Sequence, residues 1–126
     1  GHTRSEDGIL DMELRKPKNL GGEGGDYSNP EQLFAAGYSA CYGSALEHVA
    51  KQHKIDLGDY SVTATVKLGQ TDSGNLQLSA ILDTYIPGVD VETGEKLVNE
   101  AHEVCPYSRA TRDNIDVTLN LMLDED

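Results

Sequence analysis

The chain has no tryptophan, one phenylalanine and only two cysteines among 126 residues. Two cysteines are too few to staple a secreted disulfide scaffold of this size. Basic residues are scarce as well: ten against 22 acids, a net charge of −12. So acidic a surface repels the phosphate backbone, which argues against nucleic acid as a partner. It disfavours an anionic membrane surface for the same reason, and reads as a well-solvated acidic shell. No apolar run approaches the ~20 residues that span a bilayer. No signal peptide is visible, so a cytoplasmic protein is expected. The length is that of a single domain. With a hydrophobic fraction of 37% the core is lean, and obligate homodimerisation is an expected way of completing it.

What is there is well patterned. Residues 9–15 (ILDMELR) alternate loosely and predict a strand. Residues 19–30 (NLGGEGGDYSNP) predict a loop. It lacks the Gly-Lys-Ser/Thr ending of a phosphate-binding loop, so phosphate binding is not expected there. Asn29-Pro30-Glu31 reads as a helix start, with Asn as cap, Pro at the first position and an acid in the first turn. That helix is expected to run to about His53 and to be buried on most faces, because small or apolar residues surround its middle. Ala35, Ala36, Gly37, Ser39, Ala40, Gly43 and Ser44 would let another backbone approach closely.

Residues 60–69 and 76–86 alternate and predict a hairpin turned at 71–75 (TDSGN). Residues 91–104 carry apolar positions at helical spacing, with acids and Lys96 between them. Pro106 starts a short helical turn to about Arg112, residues 114–123 predict a last strand, and the acidic residues 124–126 are expected to fray. The order β, long helix, ββ, helix, β predicts an α+β fold with mainly antiparallel pairing.

Cys41 lies in the middle of the long helix, and Cys105 at the end of the amphipathic one. Each thiol has an inert reading, as a small core hydrophobe, and a reactive one. Cys105, next to Pro106 at a helix junction, is expected to be the more accessible. The reactive reading needs a thiolate held by a cation, a second thiol within disulfide reach and an apolar pocket. Arg109, Arg112 and Arg4 are candidate cations, and spacing does not choose among them. His102 and Cys105, three residues apart, could share a helix face and bind a metal, but the other ligands would have to come from Cys41, His48, His53 or carboxylates. A Cys–His hydrolase would need an oxyanion hole and an orienting group, and nothing marks either. His48 and His53 read as exposed residues near a helix end.

Residues 29–46 (NPEQLFAAGYSACYGSAL) and 101–117 (AHEVCPYSRATRDNIDV) resemble the two signature segments of the Ohr subgroup of the Ohr/OsmC family, the organic hydroperoxide resistance proteins. Residues 5–25 also fit, so the resemblance spans essentially the whole chain. It implies one OsmC-like domain over residues 1–126, with mainly antiparallel sheets wrapped around long central helices in an intertwined homodimer. It further implies a thiol-dependent peroxidase for organic, fatty-acid-like hydroperoxides, with no bound cofactor or metal. Cys41 would be the peroxidatic cysteine, Cys105 the resolving cysteine and Glu31 the active-site glutamate. Dihydrolipoyl groups on a lipoylated protein would regenerate the dithiol.

The family's active-site arginine precedes the position of Gly1. Arg4 falls a few residues too late to take its role, so the protein is expected to extend further at its N-terminus, with a preceding strand and the arginine loop. Glu31 and Cys41 are ten residues apart, about 15 Å of rise on one straight helix. A shared site then requires assembly at a subunit interface, or a Glu31 that belongs to a loop folding back. The readings that compete with the enzyme are a redox sensor or ligand-binding module using the same thiol pair, and a structural domain with inert thiols. An OsmC-type relative with another substrate range would keep the same chemistry.

Overall fold

The computed structural model describes residues 1–124, so Glu125 and Asp126 of the expected fraying tail lie outside the described residues. It forms two compact units, Gly1–Phe34 and the remainder from Ala35.

In the first unit, β1 (His2–Arg4) pairs antiparallel with β2 (Asp11–Glu13). The strand expected over 9–15 is shorter because its first residues turn the hairpin. The Ser5 amide donates to the Leu10 carbonyl at 2.7 Å, which leaves Ile9 and Leu10 exposed at the tip. Three residues are too few to show alternation, so β1 left no pattern in the sequence. The loop expected over 19–30 holds from Gly21, while its first two residues, Asn19 and Leu20, belong to a 3-10 turn at Lys18–Leu20.

Helix α1 (Pro30–Gln52) starts where the sequence places it. The Gln32 amide donates to the Asn29 side-chain oxygen at 2.8 Å, satisfying one of the free N–H groups of the first turn. In the second unit α1 buries Tyr38, Tyr42, Leu46 and Val49. Burial on most faces does not hold within one chain. Ala36, Ala40, Ser44 and Glu47 are exposed, a stripe at three- and four-residue spacing.

Strands β3 (Ser61–Gln70) and β4 (Leu76–Tyr85) form the expected antiparallel hairpin, closed at Thr71 and Asn75. Strand β5 (Val117–Met122) lies parallel to β4 on its other edge, giving the order β3-β4-β5. A parallel neighbour requires a crossover. Helices α2 (Val91–Val104) and α3 (Pro106–Thr111) supply it. Asp90 caps α2 by accepting the Thr93 amide at 2.8 Å, and the Thr93 side chain first, with that amide second, holds its carboxyl below the usual range. Gly94 lets α2 settle onto β5: a Cβ there would stand 2.7 Å from a Leu121 methyl. Leu97, Val98 and Ala101 of α2 join Leu82 and Ile86 in the core. The α+β class and the predominance of antiparallel pairing both hold, with β4–β5 and an isolated Leu14–Ser28 bridge parallel.

Candidate active site

The two thiols come together. Cys105 ends α2 and caps α3 in an extended conformation, φ −62° and ψ 123°. Pro106 causes this, because its ring excludes the helical region for the residue before it. The chain therefore turns a corner at Cys105. Its side chain continues the buried face of α2, following Leu97, Val98 and Ala101, and is fully buried. Cys41, three residues after the buried Tyr38 on α1, is partly exposed. The expectation of a more accessible Cys105 is thus overturned: a helix junction need not face solvent when its residue extends the apolar stripe. The Cys105 thiol donates to the Cys41 sulfur at 3.4 Å, and both thiols are free.

Burial pushes the Cys41 thiol up from its ordinary value, and the neighbouring Cys105 adds to that. The backbone N–H of Tyr107, in the first turn of α3, acts the other way. The Tyr107 ring lies against α1 at Gly37, where a Cβ would meet its hydroxyl at 3.0 Å. It also sits 5.9 Å from the Tyr38 ring. One turn from Cys41, then, a glycine makes room for an aromatic ring.

Behind the thiols runs a polar cluster that no motif announced. His102 Nδ1 is 2.8 Å from Ser108 Oγ, and Ser108 Oγ is 2.8 Å from the Tyr38 hydroxyl. That hydroxyl is 3.2 Å from Thr111 Oγ1, which donates to the Ser108 carbonyl at 3.1 Å. Tyr38, Ser108 and Thr111 are all buried. The available signal was a His and a Ser three residues either side of Cys105, with a Tyr three before Cys41. Burial, with Arg112 second, lowers the His102 pKa. His102 Nδ1 is engaged by Ser108. Among the described residues no three His, Cys, Asp or Glu side chains cluster to hold a metal ion.

Of the candidate cations, Arg112 donates to the His102 carbonyl at 2.7 Å, and Arg109 is exposed. Arg4 pairs with Asp11 in the first unit at 3.8 Å. His53 Nε2 lies within hydrogen-bond distance of a Glu100 carboxylate oxygen, at 2.7 Å, and His48 is exposed. Glu31 stands in the first turn of α1, which runs unbroken to Gln52. It is not part of a loop folding back, and that alternative is withdrawn. No helix among the described residues is long and apolar enough to cross a membrane.

The family model described as OsmC-like protein matches residues 22–120. The organic hydroperoxide resistance protein of Xanthomonas axonopodis pv. citri is 49% identical over 122 residues, covering 96% of this chain and 85% of its own length. The crystal structure of an organic hydroperoxide resistance protein from Elizabethkingia anophelis, with bound thiocyanate, superposes with a TM-score of 0.93. It shares 50% identity over 98% of this chain and 88% of its own. A putative organic hydroperoxide resistance protein from Vibrio cholerae, with captopril in one of its active sites, gives a TM-score of 0.89 at 45% identity, covering 96% of this chain and 83% of its own.

Proposed function

Because the chain belongs to the OsmC-like family, within its organic hydroperoxide resistance subgroup, we propose that it is a cysteine-based peroxidase that detoxifies organic hydroperoxides. The observation that carries this reading is the free thiol pair, one sulfur partly exposed and the other buried 3.4 Å behind it. In the proposed cycle the Cys41 thiolate attacks the distal oxygen of the hydroperoxide. The O–O bond breaks, the alkoxide takes up a proton and leaves as the alcohol, and Cys41 becomes a sulfenic acid. Cys105 then attacks the Cys41 sulfur. An S–S bond forms, the S–O bond breaks, and the departing hydroxide takes the Cys105 proton to leave as water. A dithiol returns the pair to its starting state.

Burial raises the Cys41 thiol, whereas attack requires the thiolate. The reading therefore calls for a cation beside Cys41, the arginine that the family resemblance implies, with Glu31 as its partner. An unbroken α1 separates Glu31 from Cys41 along one helix. We accordingly assign the complete site to a homodimer interface, and the exposed stripe of Ala36, Ala40 and Ser44 on α1 supports such an assembly. The preferred substrates are fatty-acid-like hydroperoxides. Each buried methylene contributes about 0.8 kcal/mol that hydrogen peroxide cannot supply. The reductant is a dihydrolipoyl group on a lipoylated protein, and the reducing cytoplasm is where such a dithiol would be kept ready.

Steady-state turnover of a fatty-acid hydroperoxide with dihydrolipoamide tests the reading. Cycling that is lost in Cys41→Ser supports it. A redox sensor would oxidise once and stop, and inert core thiols would consume nothing.

A further inference from the structure

Counting protons in the cluster behind the thiols fixes its direction. Four contacts link His102 Nδ1, Ser108 Oγ, the Tyr38 hydroxyl, Thr111 Oγ1 and the Ser108 carbonyl. Each contact needs one hydrogen, and each hydroxyl owns one. The carbonyl can only accept, so the Thr111 proton goes to it. Thr111 must then accept from Tyr38, Tyr38 from Ser108, and Ser108 from His102. Three hydroxyls serve three contacts. With one hydrogen assigned to each contact, the fourth is an N–H on His102 Nδ1, which leaves the lone pair of the neutral ring on Nε2.

The chain of protons also joins the parts that carry the two sulfurs. Tyr38 lies on α1 three residues before Cys41, on the same side of the helix. Ser108 and Thr111 belong to α3, which starts at the Cys105 corner, and His102 belongs to the last turn of α2. Helix α3 has only six residues, so its own backbone bonds do little to fix the corner. We propose that His102 is a positioning residue for the resolving step. Its Nδ1–H heads a one-way hydrogen-bond chain through Ser108, Tyr38 and Thr111 that holds the Cys105 corner against the helix bearing Cys41. His102 touches neither substrate nor sulfur in this role. The inference rests on the thiol-pair reading above.

Two nearly isosteric variants separate a donor from mere bulk. In His102→Asn the side-chain N–H₂ supplies the fourth hydrogen. In His102→Asp an ionised acceptor faces Ser108, and four contacts share three hydrogens. One pair of buried oxygens is then left facing without a proton, an arrangement that a packed site resists. The experiment mixes reduced protein with one equivalent of tert-butyl hydroperoxide and follows hydroperoxide loss and disulfide formation separately. The expected result is unchanged hydroperoxide loss in both variants, near-normal disulfide formation in His102→Asn, and disulfide formation slowed on the order of tenfold in His102→Asp. Equal disulfide rates in the two variants would overturn the proposal.

If wild type consumes no hydroperoxide, the peroxidase reading has failed rather than the hydrogen-bond chain. The chain has its own test in long-range ¹⁵N NMR of the folded wild-type protein at neutral pH, which needs no variant to fold. A protonated Nδ1 and a pyridine-like Nε2 on His102 support it, and the opposite tautomer overturns it.

Discussion

Cys105 is completely buried, while Cys41, whose sulfur lies 3.4 Å away, is partly exposed. An incoming reagent reaches only one member of the pair directly. Limiting iodoacetamide should therefore alkylate Cys41 first, with Cys105 modified mainly after denaturation. Peptide mapping checks this, and labelling of Cys105 ahead of Cys41 would reverse the assigned order of the two thiols.

The Tyr42 hydroxyl donates to the Val98 carbonyl at 2.8 Å and ties α1 to α2 inside the core. Burial pushes its pKa far up, so it stays a neutral donor. Tyr42→Phe keeps the ring and removes the donor. Urea denaturation should show a loss of about 1 kcal/mol, the usual net value of a buried hydrogen bond.

Much of this arrangement is legible in the sequence. The Asn29 cap, the hairpin around residues 71–75 and the break at Pro106 each rest on local chemistry, and each falls within a few residues of its expected place. What escaped depends on long-range packing. Strand β1 is too short to alternate, and the parallel edge of β5 follows from a crossover that no local pattern specifies. The burial of Cys105 could have been read from its place on the apolar stripe of α2, but the proline beside it suggested exposure. The Tyr38–Ser108–His102 chain joins residues up to 70 positions apart, and its members are ordinary polar residues in sequence.

Protonation of His102 links pH to stability with a definite sign. Burial and then Arg112 depress its pKa in the fold, so the unfolded chain takes up a proton at higher pH than the folded one. This contribution is fully present above the ordinary histidine value of about 6.5 and fades as pH falls below it, until folded His102 protonates too. Chemical denaturation across that window should show His102→Asn losing less stability on acidification than wild type. Parallel curves for the two proteins would contradict the assignment.

The exposed stripe on α1 borders a groove of about 430 Å³ lined in part by Ala40, Gly43, Ser44, Glu47 and Tyr60. The Tyr60 hydroxyl donates to the Glu47 carboxylate, and burial with that carboxylate pushes the Tyr60 pKa up to about 12. Placing a charge at Ala40 should prevent close approach of a second copy. Sedimentation should find wild type dimeric and Ala40→Glu shifted toward monomer. A monomeric wild type would remove the interface from the proposed site.

The pairing of Cys41 with Cys105 is tested most directly by intact-mass and peptide analysis after one equivalent of organic hydroperoxide. The account predicts a product lighter by two hydrogens, with a cross-link joining the Cys41 and Cys105 peptides, and in Cys105→Ser a Cys41 sulfenic acid that dimedone traps. An unchanged mass, with both thiols still open to alkylation after denaturation, would contradict it.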